Sequence, residues 1–244
     1  TRGLSARDIA MNVALPEVDG RVLTRAGSFK GGVHHDPLTE TEMVHYEPVA
    51  DRVRYVSELA AAWTSLRETV REDRRIALVL ANYPNRDGRL GNGVGLDTPA
   101  GAVELFGALK KAGYSITDIP AGGDALIDRV MAGPTNAFEN LDNRDISETL
   151  AIADYQIFFG TLPKAVRSAV TDRWGAPEAD PFFRQGEGDC GHFAVPAFRL
   201  DNVAVCLQPA RGYNIDPKET YHDPDLVPPH NYLAFYAWLR NAFR

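Results

Sequence analysis

Six histidines, two cysteines and one cluster of closely spaced glycines are the residues with the clearest chemical potential. The histidines are His34, His35, His45, His192, His222 and His230; Cys190 lies two residues before His192, and the pair His222-Asp223 sits beside Asp225. Imidazole, thiolate and carboxylate together suit cobalt or zinc, but no pair here has the spacing of a structural zinc site. Cys206 lies inside an apolar run, where a cysteine behaves as a small hydrophobe. The loop Gly91-Asn92-Gly93-Val94-Gly95 invites a phosphate-binding reading, because glycines let backbone N–H groups approach an anion at a helix start. It lacks both the third glycine of a dinucleotide fingerprint and the Lys-Ser/Thr of a P-loop. No Gly-x-Ser-x-Gly elbow marks a nucleophile.

The densest collection of ionisable and aromatic residues is Gln208 to His230, QPARGYNIDPKETYHDPDLVPPH. Its prolines stiffen a segment carrying Arg211, Tyr213, Asn214, Asp216, Lys218, Tyr221, His222, Asp223 and His230. It reads either as an ordered surface loop or as the wall of a binding or catalytic site.

Two strands and a helix must position these loops. Ile76 to Ala81 is an unbroken apolar run, which predicts a strand buried on both faces. The glycine loop follows it. A helix then starts with Thr98 as N-cap and Pro99 as first helical residue, and stops at Gly113 after Lys110-Lys111. A loop between a strand and a helix N-terminus lies at the carboxyl edge of an α/β sheet, where ligands bind. Tyr114 to Pro120 reads as the next strand, giving a right-handed β-loop-α-β unit. Two extended runs, His192 to Leu200 and Val203 to Leu207, flank Asp201-Asn202 and predict a β-hairpin whose exit feeds the second loop.

Elsewhere, Ser5 to Val13 shows a short helical pattern. Leu15 to Gly20 reads as a turn, leading into a strand-like Arg21 to Thr24. Residues 31 to 50 read as loop. Val53, Val56, Leu59, Ala60, Trp63, Leu66 and Val70 recur at helical spacing. A short helix over Asp124 to Met131 precedes a helical region over Ser147 to Ala169, interrupted at Gly160 to Pro163. Residues 175 to 191 read as a surface loop and Asn231 to Phe243 as a helix. The expected fold class is α/β: a Rossmann- or flavodoxin-like strand-loop-helix core with flanking helices and a β-hairpin, part of a larger multidomain subunit. Residues 1–72 are expected to form a flanking segment (hairpin or strand entry plus an amphipathic helix over 51–71). Residues 73–244 then form an α/β core module truncated at its last helix.

The bulk properties exclude several classes. At 244 residues, 44% hydrophobic and 24% charged, the composition is that of an ordinary globular protein. A net charge of −7 advertises neither nucleic acid nor an anionic membrane as partner. Two cysteines make no disulfide framework, so a reducing cytoplasm is the expected location. No apolar run approaches the ~20 residues of a membrane span. A first residue that is not Met and a last one inside a helical pattern suggest a piece of a longer protein.

Three strings carry a resemblance: ALPEVDGR (14 to 21), ALVLANYPNRDGRLGNGVGLDTPA (77 to 100) and LQPARGYNIDPKETYHDPDLVPPHNYLAFYAWLR (207 to 240). They resemble the large, tetrapyrrole-binding subunit of the cobaltochelatase and magnesium chelatase family. The wording of Asn82-Tyr83-Pro84-Asn85-Arg86 and Tyr221-His222-Asp223-Pro224-Asp225 is similar to the cobalt branch. The resemblance implies ATP-dependent insertion of cobalt(II), as substrate, into hydrogenobyrinic acid a,c-diamide on the aerobic route to cobalamin. It implies that ATP and Mg2+ are handled by an AAA+ ATPase partner, with a further von Willebrand A-type subunit. It also implies that the family pattern continues past Arg244 with a Gly-Lys-His-Gly segment, so that this chain alone is not a competent chelatase.

Metal insertion requires a general base for two pyrrolic protons, N/O ligands that bind and release cobalt, and cationic groups for peripheral carboxylates. On that chemistry Asn82 to Asp97 and Gln208 to His230 are the two expected walls of a tetrapyrrole cavity. The expected substrate-binding residues are Asn82, Tyr83, Asn85, Arg86, Arg89, Asn92, Asp97, Gln208, Arg211, Tyr213, Asp216 and Tyr221, with Arg86, Arg89 and Arg211 on carboxylates. His222, Asp223 and His230 are the candidates for catalysis, and His222 and His230 for holding metal. Three alternatives stay open: a magnesium chelatase subunit acting on protoporphyrin IX, a non-catalytic scaffold that docks the ATPase, and a flavodoxin-shaped enzyme using the glycine loop for a phosphate.

Overall fold

The computed structural model describes residues 5–82, 87–186, 190–213 and 225–243. The chain divides into two compact units, Thr1–Thr69 and Val70–Arg244.

In the first unit, helix α1 (Ala6–Ile9) is started by a capping box in which Ser5 and Asp8 bond each other's backbone. It runs through a π-helical turn (Ala10–Ala14) into α2 (Leu15–Val18). The expected turn at Asp19-Gly20 is the end of this helical run, with Gly20 at φ 72°. No strand forms over Arg21 to Thr24. Instead residues 31 to 50, expected to be loop, contribute to an antiparallel hairpin of β1 (Ser28–Asp36) and β2 (Thr41–Pro48). Its turn is tied by Asp36 Oδ1, which accepts from Leu38 N at 2.9 Å. Every residue of β2 is exposed, so the ribbon has no apolar alternation to read from sequence. Helix α3 (Ala50–Glu68) forms where the spacing predicts. Its stripe stays largely open, Trp63 being 53% exposed and Leu66 46%.

The second unit is α/β. Strand β3 (Ile76–Leu80) pairs in parallel with β8 (Val203–Leu207), and β8 pairs antiparallel with β7 (Ala197–Leu200), in the order β3-β8-β7. A second sheet, order β4-β6-β5, joins β4 (Glu148–Ala151), β6 (Gly191–Val195) and β5 (Phe183–Gln185) in antiparallel fashion. Strands β6 and β7 are one run of chain divided at Pro196, whose carbonyl accepts from Leu207 N at 2.8 Å. The hairpin predicted from His192 to Leu207 is therefore split between two sheets, with its turn at Asp201 (φ 61°) as expected.

β8 shows why the unit has three layers. Val203, Val205 and Leu207 face one core with α4 (Thr98–Lys111) and α5 (Gly123–Ala132), through Phe106, Leu126 and Val130. Ala204 and Cys206 face the other way, into a core with Tyr155, Phe193, Ala234, Phe235 and Trp238. Large residues on one face and small ones on the other let the last helix, α8 (His230–Ala242), lie close to the sheet. Between β4 and β5 in the chain come α6 (Ile152–Gly160), which packs against β4, β6 and α8, and α7 (Lys164–Trp174), the two broken at the expected Gly160 to Pro163.

Four details differ from expectation. β3 is an edge strand with Val79 39% exposed, not a strand buried on both faces. Tyr114 to Pro120 forms no strand: Asp118 adopts φ 51° and Pro120 follows, so the parallel partner of β3 comes much later in the chain. The start of the region read as helix from Ser147 is strand β4. Residues 175 to 191 are not all surface loop, because Asp180 and Phe182 are buried and β5 pairs with β6. Among the described residues no helix is long and apolar enough to cross a membrane.

Helix α4 is capped by Asp97 rather than Thr98, its carboxylate accepting from Ala100 N at 3.1 Å. Asp97→Ala is expected to cost about 1 kcal/mol, read as a fall in the urea midpoint; an unchanged midpoint contradicts the cap.

Candidate functional site

The two polar loops spring from neighbouring strand ends. Leu80 and Leu207 are partners in the parallel ladder, and Gln208 N donates to the Leu80 carbonyl at 2.9 Å. The loop after β3 is built inwards from there. Asn82 is buried and bridges Leu90, and Gly91 N donates to Ala81 O at 2.8 Å with Gly91 at φ 63°. Gly93 bridges Leu96, and Gly95 turns the chain at φ 75°. The glycines thus serve positive backbone angles and a close approach. The N-terminus of α4 already holds the Asp97 carboxylate, which takes the place an anionic phosphate would occupy.

Residues 133 to 144, which carry no sequence motif, tie both loops down. Arg144 pairs with Asp87 at 2.8 Å, and its other guanidinium nitrogen bonds the carbonyls of Met131 and Gly133. Asn136 spans Pro209: its Nδ2 donates to Gln208 O at 3.0 Å, and its Oδ1 accepts from Ala210 N at 2.8 Å.

The far root of the second loop is set by a buried polar network. Asp180 Oδ1 accepts from Phe182 N at 2.9 Å, and Oδ2 accepts from Asn231 N at 2.9 Å. The Tyr213 hydroxyl reaches both oxygens at 3.2 Å. One carboxylate therefore holds residues 213 and 231 together. Burial raises its pKa above the usual 3.8, and the hydrogen bonds from Phe182, Asn231 and Tyr213 and the nearby His230 oppose that rise. Tyr213, packed against Trp174 and Phe182, is pushed well above 10 by burial and by Asp180. Trp174 Nε1 donates to Val227 O at 2.9 Å, and Arg211 donates to Leu226 O at 3.3 Å.

His230, put forward for metal and catalysis, is fully buried at the start of α8. Nε2 lies 3.0 Å from Gly175 O, a pure acceptor, so Nε2 carries the hydrogen. Nδ1 lies 2.6 Å from the Tyr155 hydroxyl, and the two share a hydrogen bond. With both nitrogens engaged, the ring offers no lone pair to a metal in this arrangement. Burial raises Tyr155 far above its ordinary value.

The other expected residues fall as follows. Arg89, Asn92, Asp97 and Arg211 are exposed, while Asn82, Gln208 and Tyr213 sit at the loop roots. Tyr83, Asn85, Arg86, Asp216, Tyr221, His222 and Asp223 lie outside the described residues. Cys206 is buried, its thiol pushed up to about 12 by desolvation, as suits a packing residue. Among the described residues no three His, Cys, Asp or Glu side chains converge on a metal-sized space. A cavity of about 140 Å³ lies beside Val130, Phe198 and Leu207, below the ~300 Å³ at which small-molecule pockets begin. A broader groove of about 310 Å³ runs along Arg173 and Asp225 to Val227, at the second loop's root.

The sequence reading missed Asn136, Arg144, Tyr155, Asp180 and Asn231. Asp180 alone had a signal, as an acid directly before Pro181-Phe182-Phe183, a run too apolar for a surface loop.

Comparison with known proteins places this arrangement. Two proteins named aerobic cobaltochelatase subunit CobN match almost the whole chain: that of Sinorhizobium sp at 57% identity over 242 residues and that of Pseudomonas aeruginosa at 49% over 243. The matches cover 99% and 100% of this chain, but 18% and 19% of those proteins, so the chain spans less than a fifth of their length. The solved catalytic subunit of cobaltochelatase from Mycobacterium tuberculosis superposes with a TM-score of 0.77 at 36% identity, over 97% of this chain and 19% of that one. The family model CobN/Magnesium Chelatase matches residues 1–244. The chain belongs to the CobN/Magnesium Chelatase family.

Proposed function

We propose that this chain is the part of a cobaltochelatase large subunit that forms two walls of the tetrapyrrole site. The observation that carries the proposal is the origin of both polar loops at the paired ends of β3 and β8, in a chain of this family. The relatives named for cobalt chelation support cobalt(II) as the metal substrate, and the acceptor in this reading is a corrin, hydrogenobyrinic acid a,c-diamide. In the proposed reaction Arg89 and Arg211, with Arg86, meet peripheral carboxylates, while Asn82, Tyr83, Asn85, Asn92, Gln208, Asp216 and Tyr221 line the macrocycle. His222 with Asp223 handles the metal or the pyrrolic protons. His230, Tyr213 and Asp97 are reassigned to positioning, since their polar atoms are spent on Tyr155 and Gly175, on Asp180, and on Ala100. ATP hydrolysis falls to an AAA+ partner, assisted by a von Willebrand A-type subunit, in the cytoplasm.

Titrating hydrogenobyrinic acid a,c-diamide into the full-length subunit and into this chain, followed by absorbance, tests the proposal. The full-length subunit is expected to bind, and this chain to bind at least about a hundredfold more weakly, a loss of about 2.8 kcal/mol. No spectral change with the full-length subunit overturns the reading. Tighter binding of protoporphyrin IX than of the corrin moves it to the magnesium branch. Protection of the chain by nucleotide alone favours a phosphate-binding enzyme.

A further inference from the structure

The apolar run of β3 suits a strand between two neighbours better than the edge it occupies. It ends the sheet order β3-β8-β7. Ile76 N donates to Asn202 O and Gln208 N to Leu80 O, each at 2.9 Å, along the parallel ladder with β8. Backbone groups alternate sides along a strand, so Ile76, Leu78 and Leu80 turn theirs toward β8. Ala77 and Val79 turn N–H and C=O toward the open edge, where no strand among the described residues meets them. The next outward carbonyl, of Ala81, is already taken by Gly91 N at 2.8 Å. Of the five residues of β3 only Leu80 is buried, whereas all five of β8 are, although both runs are wholly apolar. The opposite edge strand, β7, is protected by Pro196 before it and Arg199 within it. β3 has neither proline nor charge, and a bare apolar edge of this kind is a template for another strand.

We infer that an extended segment of the large subunit, from outside these 244 residues, adds to the sheet beside β3 and bonds Ala77 and Val79. The chain spans less than a fifth of the relatives it matches, so most of such a subunit lies elsewhere in the polypeptide. Two outward residues make too small a contact to hold a second folded copy, since a stable interface needs about 1,000 Å². A segment of the same polypeptide is kept near the edge by its tether and needs far less contact. Its side chains are apolar on both faces, because Ile76 and Leu78 face the α4–α5 core and Ala77 faces the α8 core. The added strand stops against the return of the chain at Gly91, and it thereby supports the root of the first polar loop from the outer side. The inference rests on the chain being part of a longer subunit, not on the ligand assigned to the loops.

Residue-resolved hydrogen exchange on the full-length subunit provides the test. Paired on both sides, β3 is expected to protect the Ala77 and Val79 amides to within about tenfold of Leu78 and Leu80. Exchange at Ala77 and Val79 more than about tenfold faster than at those neighbours overturns the inference. Benzophenone crosslinking from position 79 of the same subunit identifies the occupant, because Val79 is exposed enough to accept the probe. The expected crosslink joins position 79 to a peptide of the subunit outside residues 1–244. Crosslinks confined to these residues, crosslinks to a second copy, or none at all overturn it. Val79→Asp, which sets a charge against the added strand, is expected to speed Ala77 exchange at least about tenfold while Leu78 and Leu80 stay within about threefold of wild type. Exchange that is unchanged, or that quickens equally at all these residues, overturns it as well. If these results go against the strand while the macrocycle still binds, the reading of the loops stands and only the strand is lost.

Discussion

Asp180→Ala is expected to destabilise the chain by about 3 kcal/mol and lower its thermal midpoint by about 6–12 °C. The variant leaves Phe182 N, Asn231 N and the Tyr213 hydroxyl without the acceptor they share, in a site where Asp180 is 6% exposed. Each orphaned buried donor costs about 1–3 kcal/mol, offset by the removal of a desolvated charge. Asp180→Asn separates the charge from the shape. Because burial raises the carboxyl in the folded state, the folded protein holds its proton to higher pH than the unfolded chain does. By linkage this group's contribution is greatest below the unfolded value of 3.8 and falls as pH rises through the folded value. The difference in urea midpoint between wild type and Asp180→Asn, followed upward from pH 4, is expected to shift steadily against wild type and then level off. A difference that is flat with pH, or that favours wild type as pH rises, would refute the raised carboxyl. A midpoint for Asp180→Ala within 2 °C of wild type would refute the clamp.

The second large effect separates the two histidines at the second loop. His230→Ala removes a fully buried ring packed edge-on against Tyr155 and Phe159, and strands the Tyr155 hydroxyl and the Gly175 carbonyl. Cavity and unpaired polar atoms together are expected to cost about 3–5 kcal/mol, so the variant should melt about 6–20 °C lower. His222→Ala, under the proposed role, is expected to lower the full-length subunit's cobalt affinity by about tenfold or more, with a melting midpoint close to wild type. If His230→Ala melts with wild type and loses cobalt instead, the ring is a ligand and its bonds to Tyr155 and Gly175 give way on metal binding. If His222→Ala leaves cobalt affinity untouched, the metal role assigned to it is lost.

What sequence reveals here follows the range of the interactions. The apolar runs of β3 and β8, the proline and glycine at the two ends of α4 and the Gly160 to Pro163 break are local signals, and the structure follows them. The cap went to Asp97 rather than Thr98 because both residues are cap formers and only the fold decides which one leaves the helix. The hairpin at Ser28–Pro48 escaped because a ribbon with no buried face imposes no alternation. β4 was hidden because Leu150-Ala151 runs without a break into the apolar start of α6. The loops of the candidate site were legible from their density of Gly, Pro and charge. Their anchors were not. Asn136 reaches 72 residues along the chain, Asp180 reaches 51 and Arg144 reaches 57. Single polar contacts at such separations leave no periodic trace.

The division of one chain run at Pro196 bears on what changes this unit tolerates. β6 pairs with β4 and β5 on one side of the proline, and β7 pairs with β8 on the other. Inserting or deleting one residue there cannot leave both sheets in register. It either turns Phe198 and Leu200 out of the α4–α5 core, or turns Phe193 and Val195 out of the α8 core, since a one-residue shift reverses every side chain on a strand. The junction therefore acts as a frame lock, fixing the reading phase of both sheets from a single point in the chain.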